Sequence, residues 1–264
     1  MPVRLRTAAV SDVGGYRAAN QDAAFAAPWG AAVADGVGGG PSGDLASAAL
    51  LHRLVAGRMI LPDAEALAVR IREANWDLRA HAERDESLRG MATTLTGIFL
   101  SSSGRLLVAH TGDSRAYLLR RGVFTRQTRD DSYVQALLDH GLIAPEDAAS
   151  HPRRNIITAS LRGGEDDTTS VVDRDVHIED RWLLCSDGVT DYLPEDDVER
   201  ALEAAASPAT AAASLVSLAL EAGSQDNVTA VVCDVEYVHH ASAGQAPTFY
   251  GAAADRFCEE LETA

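Results

Sequence analysis

Along this chain the spacing of apolar positions changes several times, and each change marks an element. Val3 to Val10 reads as a first strand, followed by a polar loop through Asp22. Ala31-Ala32-Val33-Ala34 is a short apolar run that stops at Asp35-Gly36, as a buried strand does on meeting a turn. From Ser42 to Met59 the apolar residues recur at helical spacing, and Asp63 to Glu86 reads as a second, more charged helix opened by Pro62. The period then shortens. Thr94 to Leu100, Leu106 to Thr111, Arg115 to Leu119 and Val123 to Thr125 are alternating or β-branched runs separated by glycines, which predicts antiparallel strands with tight turns. Residues 130–166 are more polar and less regular, with one amphipathic helix over Ser132 to His140, and read as an insertion or flap over a sheet edge. Strands return at Ser170 to Val176 and Trp182 to Cys185. Two Ala-rich helices follow, near Glu195 to Ala205 and Ala209 to Ala222, then a strand over Val228 to Val235. Runs of strands and runs of helices without regular βαβ alternation predict an α+β fold, an antiparallel core with helices outside. The tail from His239 to Ala264 is expected to be a docked helix at its end or a loose extension.

Composition narrows the function classes. The chain has 264 residues, 46% apolar and 23% charged, enough to bury a core without staples. Its formal net charge of −16 disfavours nucleic acid and anionic membranes, which would meet a repulsive surface. Cys185, Cys233 and Cys258 share no short metal-type spacing. Cys185 and Cys233 lie inside apolar runs and are expected to be buried reduced thiols, which fits a reducing cytoplasm. No segment approaches the roughly 20 apolar residues that span a bilayer, and the start MPVRLRTAAVSDVGG lacks a signal-type apolar core. The expected location is the cytoplasm, without a membrane anchor. His239 and His240 are read as exposed neighbours with no ligand role.

Four aspartates share one setting. Asp35 in AVADGVGGG, Asp113 in AHTGDSRAY, Asp187 in LLCSDGVTD and Asp226 in GSQDNVTAVV each follow or interrupt a short apolar strand, with a small residue beside them. Any one alone is read as a turn. As a set they are a candidate site, because strand ends from distant parts of a chain converge at one edge of a sheet. Two like charges about 4 Å apart cost roughly 4 kcal/mol at an effective dielectric near 20, and cations remove that cost. All-oxygen donors with no Cys or His beside them favour hard ions such as Mg²⁺ or Mn²⁺.

AVADGVGG, the Thr-Thr of GMATTLTG, HTGDSRAY, LLCSDGVTD and QDNVT, in this order, resemble the motif series of the metal-dependent protein phosphatase 2C family. SDVGGYRAANQD resembles that family's opening motif in its bacterial form, and the match runs from about residue 8 to residue 235. The resemblance implies an α-β-β-α sandwich of two antiparallel sheets, spanning residues 1–238 with 130–166 as a flap subdomain and 239–264 as a C-terminal extension. It implies hydrolysis of phosphoserine and phosphothreonine on proteins by a metal-bridging hydroxide, opposing Ser/Thr kinases. Asp35 would bridge two Mn²⁺ or Mg²⁺ ions, and the Gly36 carbonyl would bind the second. Asp187 and Asp226 would complete the first site. Asp113 with Asp187 would form a weaker third, and Arg17 would grip the substrate phosphate. Gln21, Asp22 and Asn227 would support them.

Two departures from the family pattern stand out. Gln21 precedes Asp22 where the family often has Glu, which predicts somewhat weaker metal affinity. Val37 follows Asp35-Gly36 where eukaryotic members often carry a histidine thought to protonate the leaving group. His110 ends a strand and is read as structural. The serines lack a G-x-S-x-G elbow, and GVGGG lacks the Lys-Ser/Thr of a Walker loop. Two other readings stay open: a silent relative that binds phosphoprotein or metal, and a phosphatase of small esters.

Overall fold

The computed structural model describes residues 3–37, 42–57, 63–148, 150–238 and 246–257. Pro62, His239, His240 and Cys258 lie outside them. The chain begins with β1 (Val3–Asp12), β2 (Asp22–Ala27) and β3 (Gly30–Val37), then α1 (Gly43–Val55) and α2 (Ala64–Arg84). The Asp63 side chain caps α2 by accepting from Ala66 N at 2.8 Å. Next come β4 (Ala92–Thr93), β5 (Leu95–Leu100), β6 (Leu106–Thr111), β7 (Arg115–Arg120) and β8 (Val123–Arg126). The polar stretch after β8 holds α3 (Tyr133–Asp139), capped by Ser132, and α4 (Pro145–Ala148). The remainder is β9 (Ser170–Arg174), β10 (Arg181–Cys185), α5 (Asp187–Thr190), α6 (Glu195–Ala204), α7 (Pro208–Glu221), β11 (Val228–Tyr237), β12 (Thr248–Gly251) and α8 (Ala252–Asp255).

Two antiparallel sheets result. One has the order β1-β11-β10-β7-β8; the other runs β12-β2-β3-β5-β6-β9, with β4 paired to β3. Apolar side chains fill three layers. Leu5, Val33, Ile98, Val108, Leu118, Trp182 and Val231 pack between the sheets. Phe25, Leu50, Leu54, Leu67, Ile71 and Phe99 join the seven-stranded sheet to α1 and α2. Tyr117, Leu183, Val198, Leu202, Leu215 and Val232 join the five-stranded sheet to α6 and α7. This is the expected α-β-β-α sandwich.

Of the differences from the sequence expectation, three have a plain physical reason. β2 is absent from the expectation because Ala23 and Phe25 face the helices while Ala24 and Ala26 face the other sheet, so no polar position interrupts it. Alanine also carries little strand signal. β3 continues through Asp35-Gly36 instead of stopping there, since β4 supplies a ladder partner to Gly36 and Val37. Over residues 246–257 the tail docks through the short α8, with Ala252 and Ala253 buried, and also through an unexpected strand: β12 pairs with β2, Thr248 opposite Ala26 and Gly251 opposite Ala23; residues 258–264 lie outside the described ones. Gly251 has φ +60°, and a Cβ there would stand 2.3 Å from the Asp22 carbonyl oxygen.

At the end of the five-stranded sheet away from the aspartates, Arg181 ties two layers. Its guanidinium donates to Asp234 at 2.7 and 2.9 Å and to the carbonyls of Leu202 and Ala205 at 2.8 and 2.7 Å. Burial pushes the Asp234 carboxyl up, but hydrogen bonds from Arg181 and Arg6 outweigh it and hold the group below its ordinary range. Arg181→Leu is therefore expected to destabilise the fold by about 2–3 kcal/mol, since it leaves Asp234 with Arg6 alone and removes the donor to the Leu202 and Ala205 carbonyls. A carboxyl with a depressed pKa gives stability above its unfolded value that is lost as pH falls. Urea midpoints should therefore differ at pH 7 and converge in acid.

Candidate active site at the sheet ends

Loops and strand ends from four parts of the chain meet at the opposite end of the sandwich. A cleft of about 150 Å³ is lined there by Arg17, Gln21, Asp35, Gly36, Asp113, Asp187, Asp226 and Asn227, together with Val37, Thr94, Asn155 and Ile157. Every predicted site residue except Asp22 reaches its wall. Asp22 lies beneath, 1% exposed, opposite Asp35 in the β2–β3 ladder, and accepts from Ser186 Oγ at 2.7 Å.

The backbone around each carboxylate is held from outside. Asp35 donates its N–H to Thr94 Oγ1 at 3.0 Å, and its carbonyl accepts from Thr94 N at 2.8 Å and Thr93 Oγ1 at 2.9 Å. The paired threonines thus fix the strand end. Gly36 is required by close approach, because a Cβ there would fall 2.4 Å from the Gly43 carbonyl at the start of α1. Asn227 clamps the opening loop: its Oδ1 accepts from Gln21 N at 2.8 Å, and its Nδ2 donates to the carbonyls of Val13 and Ala19 at 2.9 and 3.0 Å. Asp113 sits in the β6–β7 turn, whose Gly112 N–H donates to Asp131 Oδ2 at 3.0 Å. That bond joins the turn to the root of the 130–166 segment. Arg17 reaches across the cleft and donates to Asp226 Oδ2 at 2.6 Å.

His110 takes no part in this wall. Its Nδ1 pairs with Thr96 Oγ1 and its Nε2 with the Arg129 carbonyl, both at 2.9 Å, so it braces β5, β6 and the segment after β8. Cys185 and Cys233 are buried. Sequence reasoning passed over Asp191, which lies four residues after Asp187 at the end of α5, and Ser186, which hydrogen-bonds Asp22. The DGVTD spacing was the available signal for Asp191, since positions i and i+4 share a helix face.

Electrostatics sets this cleft apart. Burial, followed by the charges of Asp22, Asp187, Asp113 and Asp226, pushes the Asp35 carboxyl well above its ordinary range. Burial, then Asp113, Asp191, Asp226 and Asp22, does the same at Asp187. Burial together with the Asp130 charge raises Asp113 to about 7. Burial raises Asp22 to about 6, although hydrogen bonds from Ser186 and Thr229 hold it back. Carboxylates so placed need a positive partner.

Among the described residues no three His, Cys, Asp or Glu side chains form a closed metal cage. The donors nevertheless fit hard divalent cations. They are all oxygen, they share one cleft, and Asp187 Oδ1 is buried without any hydrogen-bond partner. Asp226 can join them once Arg17 turns away. A larger cavity, about 740 Å³, lies at the other end around Arg4, Arg6, Arg120 and Arg181. Those arginines are paired with Glu236, Asp234 and Asp180, and among the described residues no unpartnered buried polar atom belongs to its lining. Asp187 Oδ1, buried without a partner, belongs to the smaller cleft.

The four-layer sandwich thus gathers Asp35, Asp113, Asp187 and Asp226 with Arg17 at one end of its sheets. The chain belongs to the protein phosphatase 2C family, whose model matches residues 17–222. It is 42% identical over 234 residues to the serine/threonine protein phosphatase PstP of Mycobacterium tuberculosis, covering 88% of this chain but 45% of that protein. It is 35% identical over 211 residues to the serine/threonine phosphatase stp of Listeria monocytogenes, covering 76% of this chain and 82% of the relative. Among solved structures, the catalytic domain of PstP in complex with two manganese ions is 38% identical. It matches with a TM-score of 0.81 over 89% of this chain and all of that one. No helix of the described residues is long and apolar enough to cross a membrane.

Proposed function

We propose that this chain is a protein serine/threonine phosphatase that removes phosphate from proteins modified by Ser/Thr kinases, using two Mn²⁺ or Mg²⁺ ions and a weaker third. The observation that carries this reading is the convergence of Asp35, Asp113, Asp187 and Asp226 on one cleft with Arg17, where Asp187 keeps an unpartnered buried oxygen. The names of the relatives and the manganese of the PstP domain support it. Residues 1–238 are the catalytic domain, with 130–166 as its flap and 239–264 as its extension.

Asp35, the Gly36 carbonyl, Asp187 and Asp226 would hold the pair of ions; Asp113 and Asp187 would hold the third, with Asp191 beside them. Bound there, the cations supply Lewis acidity and positive charge for in-line displacement at phosphorus. Arg17 releases Asp226 and offers two donors to the phosphate oxygens, a fork suited to that geometry. Thr93 and Thr94 keep Asp35 from recoiling, and Asn227 holds the loop that carries Arg17 and Gln21.

No histidine lines the described cleft wall to protonate the leaving oxygen. Val37 has no proton to give, and both nitrogens of His110 are engaged elsewhere. The rate is therefore expected to rise steeply as the leaving-group pKa falls across a series of aryl phosphates. A flat series would reveal an acid absent from this account.

The reading as a whole is tested by hydrolysis of p-nitrophenyl phosphate and of phosphothreonine peptides, with and without Mn²⁺. Metal-dependent turnover of both supports it. Turnover of the aryl ester alone points to small-ester chemistry, and no turnover points to a binding module.

A further inference from the structure

β12 and α8 hold α1 at both of its ends. At the last turn, His52 Nε2 pairs with the Ala253 carbonyl at 2.7 Å, and its ring stacks on Phe249 with centroids 3.9 Å apart. At the first turn, the Asp44 carboxylate accepts from Arg256 Nε at 2.7 Å and from the same guanidinium's Nη2. That pair is part-buried, the two side chains being 18% and 42% exposed. The first turn of α1 backs onto the catalytic cleft. A Cβ on Gly43 would stand 2.9 Å from the Gly36 carbonyl oxygen and 3.0 Å from the Gln21 side-chain amide. Ser47 Oγ, one turn further on, donates to the Gln21 carbonyl at 2.6 Å. Local support for this turn is thin. Ser42 stands at the N-cap without a side-chain capping bond, and a helix opens with four amide groups that its own carbonyls cannot satisfy.

We propose that Arg256 is a positioning residue for the catalytic site. Through Asp44 it fixes the first turn of α1, and with it the Gly36 carbonyl and Gln21, so that docking of the β12–α8 segment and binding of a cation at that carbonyl favour one another. The inference rests on the cation sites of the phosphatase reading and gives the C-terminal extension a part in them. Arg256 itself touches neither cation nor substrate. A carbonyl oxygen serves a hard ion only at a set distance, about 2.1 Å for Mg²⁺, so a strand end free to shift by a few tenths of an ångström loses affinity. Gly36 has no side chain with which to anchor itself. Its place is set from two sides, by the ladder to Thr93 of β4 and by Gly43 of α1. Losing Arg256 leaves the ladder intact and frees the α1 side, so the fold persists while the carbonyl loosens. Asp187 and Asp226 lie on other elements, and the ion they would share feels little of this. The linkage runs both ways: if docking tightens cation binding, the cation tightens docking by the same factor.

The test is Mn²⁺ binding to the whole chain without substrate, followed by the electron paramagnetic resonance of the free ion. Arg256→Ala should raise the dissociation constant of one ion of the pair about fivefold, the worth of a part-exposed ion pair, and leave the other within about twofold. Asp44→Asn should do the same. The double variant should bind no more weakly than either single one, because both changes break one link. Arg256→Lys keeps the charge and should stay within about twofold of the wild type. In the wild type, saturating Mn²⁺ should slow hydrogen exchange of the β12 amides about fivefold, and Arg256→Ala should lose that protection. Unchanged Mn²⁺ affinity in both single variants, whatever their melting temperatures, would show that the pair serves the fold alone and overturn the inference. Additive losses in the double variant, or β12 exchange indifferent to Mn²⁺ in the wild type, would overturn it too. A wild type that binds no Mn²⁺ would instead overturn the cation sites of the phosphatase reading, and this inference with them.

Discussion

Asparagine in place of Asp187 is expected to lower Mn²⁺-dependent hydrolysis of p-nitrophenyl phosphate by about 10³-fold, while making the cation-free protein more stable. The two effects have one origin. Asp187 is half-buried, with an inaccessible Oδ1 that nothing in the fold satisfies, and its carboxyl is pushed up by burial and by Asp113, Asp191, Asp226 and Asp22. Removing its charge relieves that repulsion, yet it also removes the anion that draws a cation to two proposed sites. A loss of several kcal/mol of charge stabilisation corresponds to roughly 10³ in rate. Relief of about 1–2 kcal/mol should raise the melting temperature in chelator by about 3–6 °C for a chain of this size. Calorimetry in EDTA and turnover in Mn²⁺ measure the two sides separately. A variant that is less stable in EDTA than the wild type would mean that Asp187 serves the fold rather than the site.

The second large effect is on pH. In chelator, stability should fall as pH rises from about 4 to about 7, opposite to the usual effect of ion-paired carboxylates. Asp113 is raised to about 7 and Asp22 to about 6, whereas an unfolded chain releases these protons near pH 3.9. Over that window the folded state holds protons that the unfolded state has lost, so each step up in pH favours unfolding. A displacement of roughly three units at Asp113 corresponds to about 4 kcal/mol. Saturating Mn²⁺ should reverse the trend, because carboxylates must be deprotonated to hold it. Urea midpoints at pH 5 and pH 8, with EDTA or with Mn²⁺, give the four values needed. If Asp113→Asn left the EDTA slope unaltered, the repelling group would lie elsewhere.

Much of this protein is legible from residue order. Leu106–Thr111 has the boundaries its pattern predicts, because Gly104 and Gly112 flank a run with no competing signal. Asp35, Asp113 and Asp187 are legible because each sits beside a glycine that the packing requires; a Cβ on Gly188, after Asp187, would meet the Asn227 carbonyl at 1.9 Å. What escaped is what depends on partners far along the chain. β2 carries no polar punctuation because it is covered on both faces. The Arg17–Asp226 ion pair joins positions 209 residues apart, and the Asn227 clamp on Gln21 joins positions 206 apart. Neither has a local signature. The docked tail was open between two expectations because its hydrogen bonds belong to β2, an element that was itself unseen.

That last strand bears on how the protein is made. β2 is an outer strand until β12 arrives, and β12 ends at Gly251, more than two hundred residues later in synthesis. During translation the Ala-rich edge of β2 therefore waits, its amides and carbonyls unpaired, while the rest of the sandwich assembles around it. An uncovered edge is a template for other chains. Slow emergence, premature termination or proteolysis ahead of Thr248 should yield a catalytic core that pairs with its neighbours through β2, so the yield of soluble enzyme becomes a question of timing as much as of stability.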